Sequence, residues 1–115
     1  MPSRRYTFFM LLRSTPDWLR LGREDRQRFL GEHVKPVFAR YPAVTMRFYD
    51  AEAFSGRCTD IAVFETDDLE AYTFLIDGLR DTAFFSRPYF EVLDIVPAVE
   101  DGYVEYDRAQ GIQAA

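Results

Sequence analysis

The side chains best equipped for chemistry gather in one hairpin-like stretch, Arg47-Phe48-Tyr49-Asp50 followed by Arg57-Cys58-Thr59-Asp60. If Asp50 faces Arg57 across an antiparallel hairpin, the same register sets Arg47 opposite Asp60. Both cross-strand pairs then join opposite charges. Positions 47 and 50 differ by an odd number, so the two pairs point to opposite faces and one is expected to be buried. A buried Arg–Asp pair is costly unless it is fully hydrogen-bonded. It therefore reads either as a salt bridge that sets the hairpin register or as an arginine, oriented by its aspartate, that anchors an anionic ligand. Met46, Phe48 and Ala62 are the expected apolar neighbours, with Tyr49 beside them.

Two further residues stand apart. His33 is the single histidine, and Leu30 and Val37 flank it at helical spacing, at the edge of an apolar stripe. It reads as a histidine bonded to a backbone carbonyl, as a general base, or as a haem ligand carried on a helix. A lone histidine with no second ligand pattern gives no zinc or non-haem iron site. Trp18 follows a helix start next to Arg13 and Asp17, and reads as a hydrophobic plug or a pocket wall. Glu91 and Asp94 are secondary acids, expected in opposite phase on one strand. Cys58 is the only cysteine, so it excludes an intrachain disulfide and a thiolate metal cluster, and nothing beside it resembles an activated thiol. No Ser-His-Asp order, phosphate-binding glycine loop or HExxH motif is present.

These residues need a scaffold, and the composition bounds it. The 115 residues suit a single domain over 1–115, with about 100–115 as a polar, acidic C-terminal arm. Aromatic residues make up 17% of the chain, 11 of them Phe and 7 Tyr, more than so small a domain can hide. The net charge of −5 and the absence of any basic stripe argue against nucleic acid. No apolar run approaches membrane-spanning length and no signal peptide is evident, so no membrane role and a cytoplasmic location are expected.

Periodicity supplies the elements. Tyr6 to Leu12 is apolar on both sides of its alternation, as a strand buried on both faces would be. Ser14-Thr15-Pro16-Asp17 caps a short helix that Gly22 ends. A longer helix spans about Arg23 to Arg40, with a kink expected at Pro36, whose missing N–H frees the carbonyl of Glu32. Strands follow over Val44–Tyr49 and Cys58–Glu65. A second helix spans Leu69 to about Arg80 behind an Asp67/Glu70 capping box. Thr82–Ser86 is a short connector, and Tyr89–Val96 is a last strand stopped by Pro97. The order is βαββαβ, a ferredoxin-like α+β arrangement in which two main helices cover one face of a four-stranded antiparallel sheet. The other face would carry apolar halves of the first and last strands, so a homodimer closed through it is expected.

The block Thr45 to Thr66, with its unusual Phe54-Ser55-Gly56-Arg57-Cys58, resembles the signature of the darcynin family of small bacterial proteins. Tyr6 to Arg20, Leu79-Arg80-Asp81 and Pro88-Tyr89-Phe90-Glu91-Val92 are similar too, so the resemblance runs from about Tyr6 to Tyr103. It implies a fold related to dimeric α+β barrels and carries no established reaction.

Two functions fit these readings. One is a cofactor-free enzyme acting on a small aromatic or anionic metabolite. Its pocket would lie between sheet and helices, with His33 and Asp60 moving protons and Arg47, Tyr49 and Trp18 holding the substrate. The other is a non-catalytic ligand-binding or oligomeric interaction protein, with haem binding as a third reading. No metal site and no cofactor are expected.

Overall fold

The computed structural model describes residues 4–112. Strand β1 (Tyr6–Ser14) leads to a one-turn helix α1 (Pro16–Leu19), whose Thr15 cap accepts a hydrogen bond from the Trp18 amide. Helix α2 (Arg23–Phe29) follows, with Gly22 as its cap rather than the end of α1.

The expected kink takes a definite form. The helix widens into one π-helical turn, Leu30–Val34, before continuing as α3 (Lys35–Arg40). Pro36 cannot donate to the Glu32 carbonyl and its ring crowds that oxygen. The chain accommodates this by inserting one residue into the turn, so that the Lys35 amide donates back to Leu30.

Strands β2 (Thr45–Asp50) and β3 (Asp60–Thr66) are joined by residues 51–59. Helix α4 (Leu69–Arg80) is capped by Asp68, not Asp67; the Asp68 carboxylate accepts from the Ala71 amide at 3.0 Å. A single turn α5 (Ala83–Ser86) precedes β4 (Phe90–Val99). The last strand does not stop at Pro97. As an edge strand it is laddered on one side only, where proline is tolerated, and it pairs on to Val99 opposite Tyr6. The residues expected to form a polar arm instead include a helix, α6 (Gly102–Ala109), entered through Asp101 at a φ of 45°.

The sheet order is β2-β3-β1-β4, antiparallel throughout, the split-βαβ topology. Phe8, Met10 and Leu12 of β1 and Ala62, Phe64 and Thr66 of β3 face the helices, where they meet Val37, Leu75 and Leu79. Helices α3 and α4 pack closely enough that a Cβ on Gly78 would stand 2.8 Å from Val37 Cγ1, which is why a glycine sits in mid-helix there. The alternate residues, among them Phe9, Arg47, Tyr49 and Val96, face away from the helices onto an open surface.

The hairpin register differs from the sequence expectation. Asp50 pairs with Asp60 and Arg47 with Val63, so the Arg47–Asp60 and Asp50–Arg57 pairs do not form. Register follows burial. The observed pairing sets Met46 and Phe48 opposite Phe64 and Ala62 on the helix side, whereas the charge-matched pairing would turn them to the other face. An exposed ion pair contributes about 0–1 kcal/mol, while burying one large apolar side chain contributes about 1.5–3 kcal/mol. In β4 a bulge opposite Leu11/Leu12 absorbs one residue, which brings Glu91 and Asp94 onto the same open face instead of opposite ones.

Candidate functional site

A chamber of about 240 Å³ lies between the helix side of the sheet and the helices. Its origin is a small residue among large ones. Ala62 sits at the centre of the floor with Met10 on one side and Phe48 on the other, and its missing bulk leaves the space open. The roof includes Leu30 and Val34, the two ends of the π-helical turn, together with Leu79 of α4 and Phe84 and Phe85 of α5. Trp18 and Phe90 complete the wall.

The aromatic rings hold one another in place. Phe84 stacks on Phe90 with centroids 4.6 Å apart, and Phe48 meets Phe90 nearly edge-on at 6.0 Å. Trp18 packs against Phe90 at 5.1 Å, Tyr89 at 5.4 Å and Phe29 at 6.2 Å. The Arg26 guanidinium covers the indole at 5.6 Å, while Arg26 Nε donates to the Trp18 carbonyl at 3.2 Å. Such contacts hold the wall in one geometry.

All 14 lining residues are apolar or aromatic; among the described residues no carboxylate, guanidinium, imidazole or thiol lines the chamber. Of them only Phe48, on the edge strand β2, is exposed, at 45%. Such a lining offers water no polar partner; an enclosed apolar cavity of about 150 Å³ stays dry and accepts benzene.

The five residues singled out in the sequence do not converge. Trp18 lines the chamber. Arg47 and Tyr49 lie on the open face of the sheet, away from it. His33 projects from the π-helical turn into solvent, its side chain 59% exposed, with Phe29 at 5.5 Å and the Glu32 carboxylate at 3.9 Å. Asp60 begins β3 at the hairpin end. Its Oδ2 accepts from Thr59 Oγ1 at 2.7 Å, and partial burial pushes its carboxyl up, with a further upward push from Asp50 and Glu52. Among the described residues no group of three or more His, Cys, Asp or Glu is arranged to hold a metal ion.

Leu30, Val34, Phe84 and Phe90 were not legible as one site, because they come from three separate elements, the π-helical turn, α5 and β4. The available signals were the alanine in an otherwise bulky strand and the proline that widens the helix above it.

A family model described as "Darcynin, domain of unknown function" matches residues 2–115. Darcynin 1 of Acinetobacter baumannii is 53% identical over 76% of this chain and 97% of its own length. Darcynin of Chromobacterium violaceum is 58% identical over 64% of this chain and 94% of its own. A darcynin homolog of Streptomyces avermitilis is 46% identical over 93% of this chain and 86% of its own. Among solved structures, a mutant chlorite dismutase from Candidatus Nitrospira defluvii superposes with a TM-score of 0.69 at 16% identity, over 92% of this chain and 45% of its own. A second from the same organism, in complex with imidazole, gives 0.70 at 16% over 86% and 41%. The chain spans a little under half of these chlorite dismutase chains, and at such identity the likeness shows the fold alone. No helix among the described residues is long and apolar enough to cross a membrane.

Proposed function

The chain belongs to the darcynin family, and we propose that it binds a small, neutral, largely aromatic molecule in the chamber between sheet and helices. The observation that supports this reading is the wholly apolar lining around Ala62. Placing a charged group there would strip its hydration with nothing to replace it, at a cost of several kcal/mol. A neutral ring system meets no such penalty and gains edge and face contacts with Trp18, Phe84 and Phe90. Of the two metabolite classes suggested by the sequence, the geometry therefore favours the aromatic one over the anionic one. It also favours binding over catalysis by the chain's own ionisable groups, since among the described residues none of them lines the chamber.

Indole is a suitable probe. Burying about 250 Å² of its surface at about 25 cal/mol per Å² gives roughly 6 kcal/mol, a dissociation constant on the order of 0.05 mM. Isothermal titration should show saturable one-to-one binding with a negative heat-capacity change. Indole-3-carboxylate, which carries a charge on the same ring, should bind at least about tenfold more weakly. Ala62→Leu adds three carbon atoms at the floor and should abolish binding while the variant still unfolds cooperatively. Equal binding of the two probes, or undiminished binding by A62L, would refute the assignment.

A further inference from the structure

The helices do not cover the whole of their side of the sheet. Phe8, Met10 and Leu12 of β1 face them, and their partners Pro97, Ile95 and Val92 on β4 point the same way. Met10 is nevertheless 1% exposed, whereas Ile95 is 40% and Val92 44% exposed. The helix layer therefore stops over β1. A stripe on α4 borders the gap: Tyr72, Ile76 and Arg80 follow one another at intervals of four and share a face. Tyr72 stacks on Phe8 with ring centroids 3.9 Å apart, which fixes where that stripe lies.

The gap is a groove of about 360 Å³. Met10 is its floor, Ile76 borders it from α4, and Val92 and Ile95 border it from β4. Phe85 and Pro88, from the connection between α4 and β4, close one end, and Arg80 stands at that end one turn beyond Ile76. The long sides are thus aliphatic, unlike the ring-walled chamber. The two spaces lie back to back, since Met10, Phe85 and Phe90 line both.

One charged side chain faces this apolar strip. Glu91 also borders the groove, but its register opposite Arg13 turns its side chain to the open face of the sheet. Arg80 remains on the helix side. Among the described residues it forms no ion pair, and neither Asp77 nor Asp81 engages it. Its guanidinium is a planar fork that matches a carboxylate with two parallel hydrogen bonds.

We propose that the α4–β4 groove binds an unbranched aliphatic monocarboxylate, its carboxylate held by Arg80 and its chain laid along Ile76 and Ile95 toward Tyr72. The chain covers the apolar surface that Val92 and Ile95 otherwise leave to water, which is the driving force for binding. The charge on Arg80 selects the head group: an alcohol forgoes the charge-assisted hydrogen bonds, and an ammonium is repelled. The length is selected too. Arg80 and Tyr72 lie about 12 Å apart along the helix axis, a span that octanoate occupies and acetate does not. This site is separate from the chamber, and its occupancy does not require the chamber to be filled.

Isothermal titration with octanoate, with circular dichroism as the control for folding, tests this. The wild-type chain should bind octanoate saturably and one-to-one, and acetate should give no saturable signal. 1-Octanol, which keeps the chain and loses the charge, should bind at least about tenfold more weakly. Arg80→Gln, at an exposed position, should weaken octanoate at least about tenfold and bring it close to 1-octanol. Ile95→Glu sets a carboxylate on the aliphatic side of the groove and should abolish octanoate binding. Neither substitution touches the chamber, which Arg80 and Ile95 do not line. Absence of saturable octanoate binding, equal binding of octanoate and 1-octanol, or octanoate binding that survives both R80Q and I95E in folded protein would each overturn the proposal.

Discussion

Asp60→Asn removes a charge from the least favourable cross-strand pair in the sheet. Asp50 and Asp60 are direct partners at the end of the hairpin, where Cβ atoms stand about 4.5–5.5 Å apart. Two like charges at that separation repel by about 1 kcal/mol in water and more as the surroundings become less polar. Asp60 is partly buried, and burial is the largest cause of its raised carboxyl; the Thr59 hydrogen bond pulls the other way, and Asp50 and Glu52 add smaller upward pushes. The asparagine oxygen can still accept from Thr59 Oγ1, so the hydrogen bond at 2.7 Å is retained. D60N should therefore stabilise the fold by about 0.5–1 kcal/mol at neutral pH, or roughly 2–6 °C in Tm. The pH dependence has a fixed sign. A carboxyl whose folded pKa is raised binds its proton more readily in the native state than in the unfolded one. Its cost to stability is present at neutral pH and is relieved as pH falls through the folded value. The advantage of D60N over wild type, measured by urea unfolding, should thus shrink as the pH is lowered and vanish well below the unfolded value of about 3.9. A D60N chain less stable than wild type at neutral pH, or a gain that persists unchanged in acid, would refute this reasoning.

Two other substitutions probe the frame around the chamber. Thr66 is wholly buried; its hydroxyl donates to the Ala43 carbonyl at 2.9 Å and accepts from the Asp68 amide at 3.0 Å. Thr66→Val leaves both groups unpaired and should cost about 1–3 kcal/mol by urea unfolding; a neutral result would mean that water replaces the hydroxyl. Cys58 is buried with no histidine beside it, so Ellman's reagent should label it only as fast as the chain opens. Rapid stoichiometric labelling of the folded protein would contradict that placement.

Much of the fold was legible from pattern alone. The helix Leu69–Arg80 coincides with its sequence expectation because its apolar residues recur at helical spacing between a capping acid and Asp81. The span Arg23–Arg40 was legible too, but periodicity does not say whether a chain meets a proline by kinking or by widening into a π turn. The βαββαβ order and the antiparallel sheet followed from the alternation of periods. The hairpin register did not. Opposite charges at Arg47 and Asp60 and at Asp50 and Arg57 suggested one pairing, yet Met46 and Phe48 needed the helix side, and one odd-numbered shift decides which set is buried. The chamber was still less visible. Its polar candidates were read from residues that attract attention, whereas the cavity arises from what Ala62 lacks and from where the turn before Pro36 carries Leu30 and Val34.

The central claim is that the chamber over Ala62 is the binding site, and a crystal structure grown with 5-bromoindole tests it most directly, because anomalous scattering locates the bromine without reference to the protein phases. The account predicts one dominant bromine peak inside the chamber, enclosed by Ala62, Trp18 and the π-turn residues Leu30 and Val34. A bromine peak on the open face beside Arg47 and Tyr49, with the chamber empty, would contradict it.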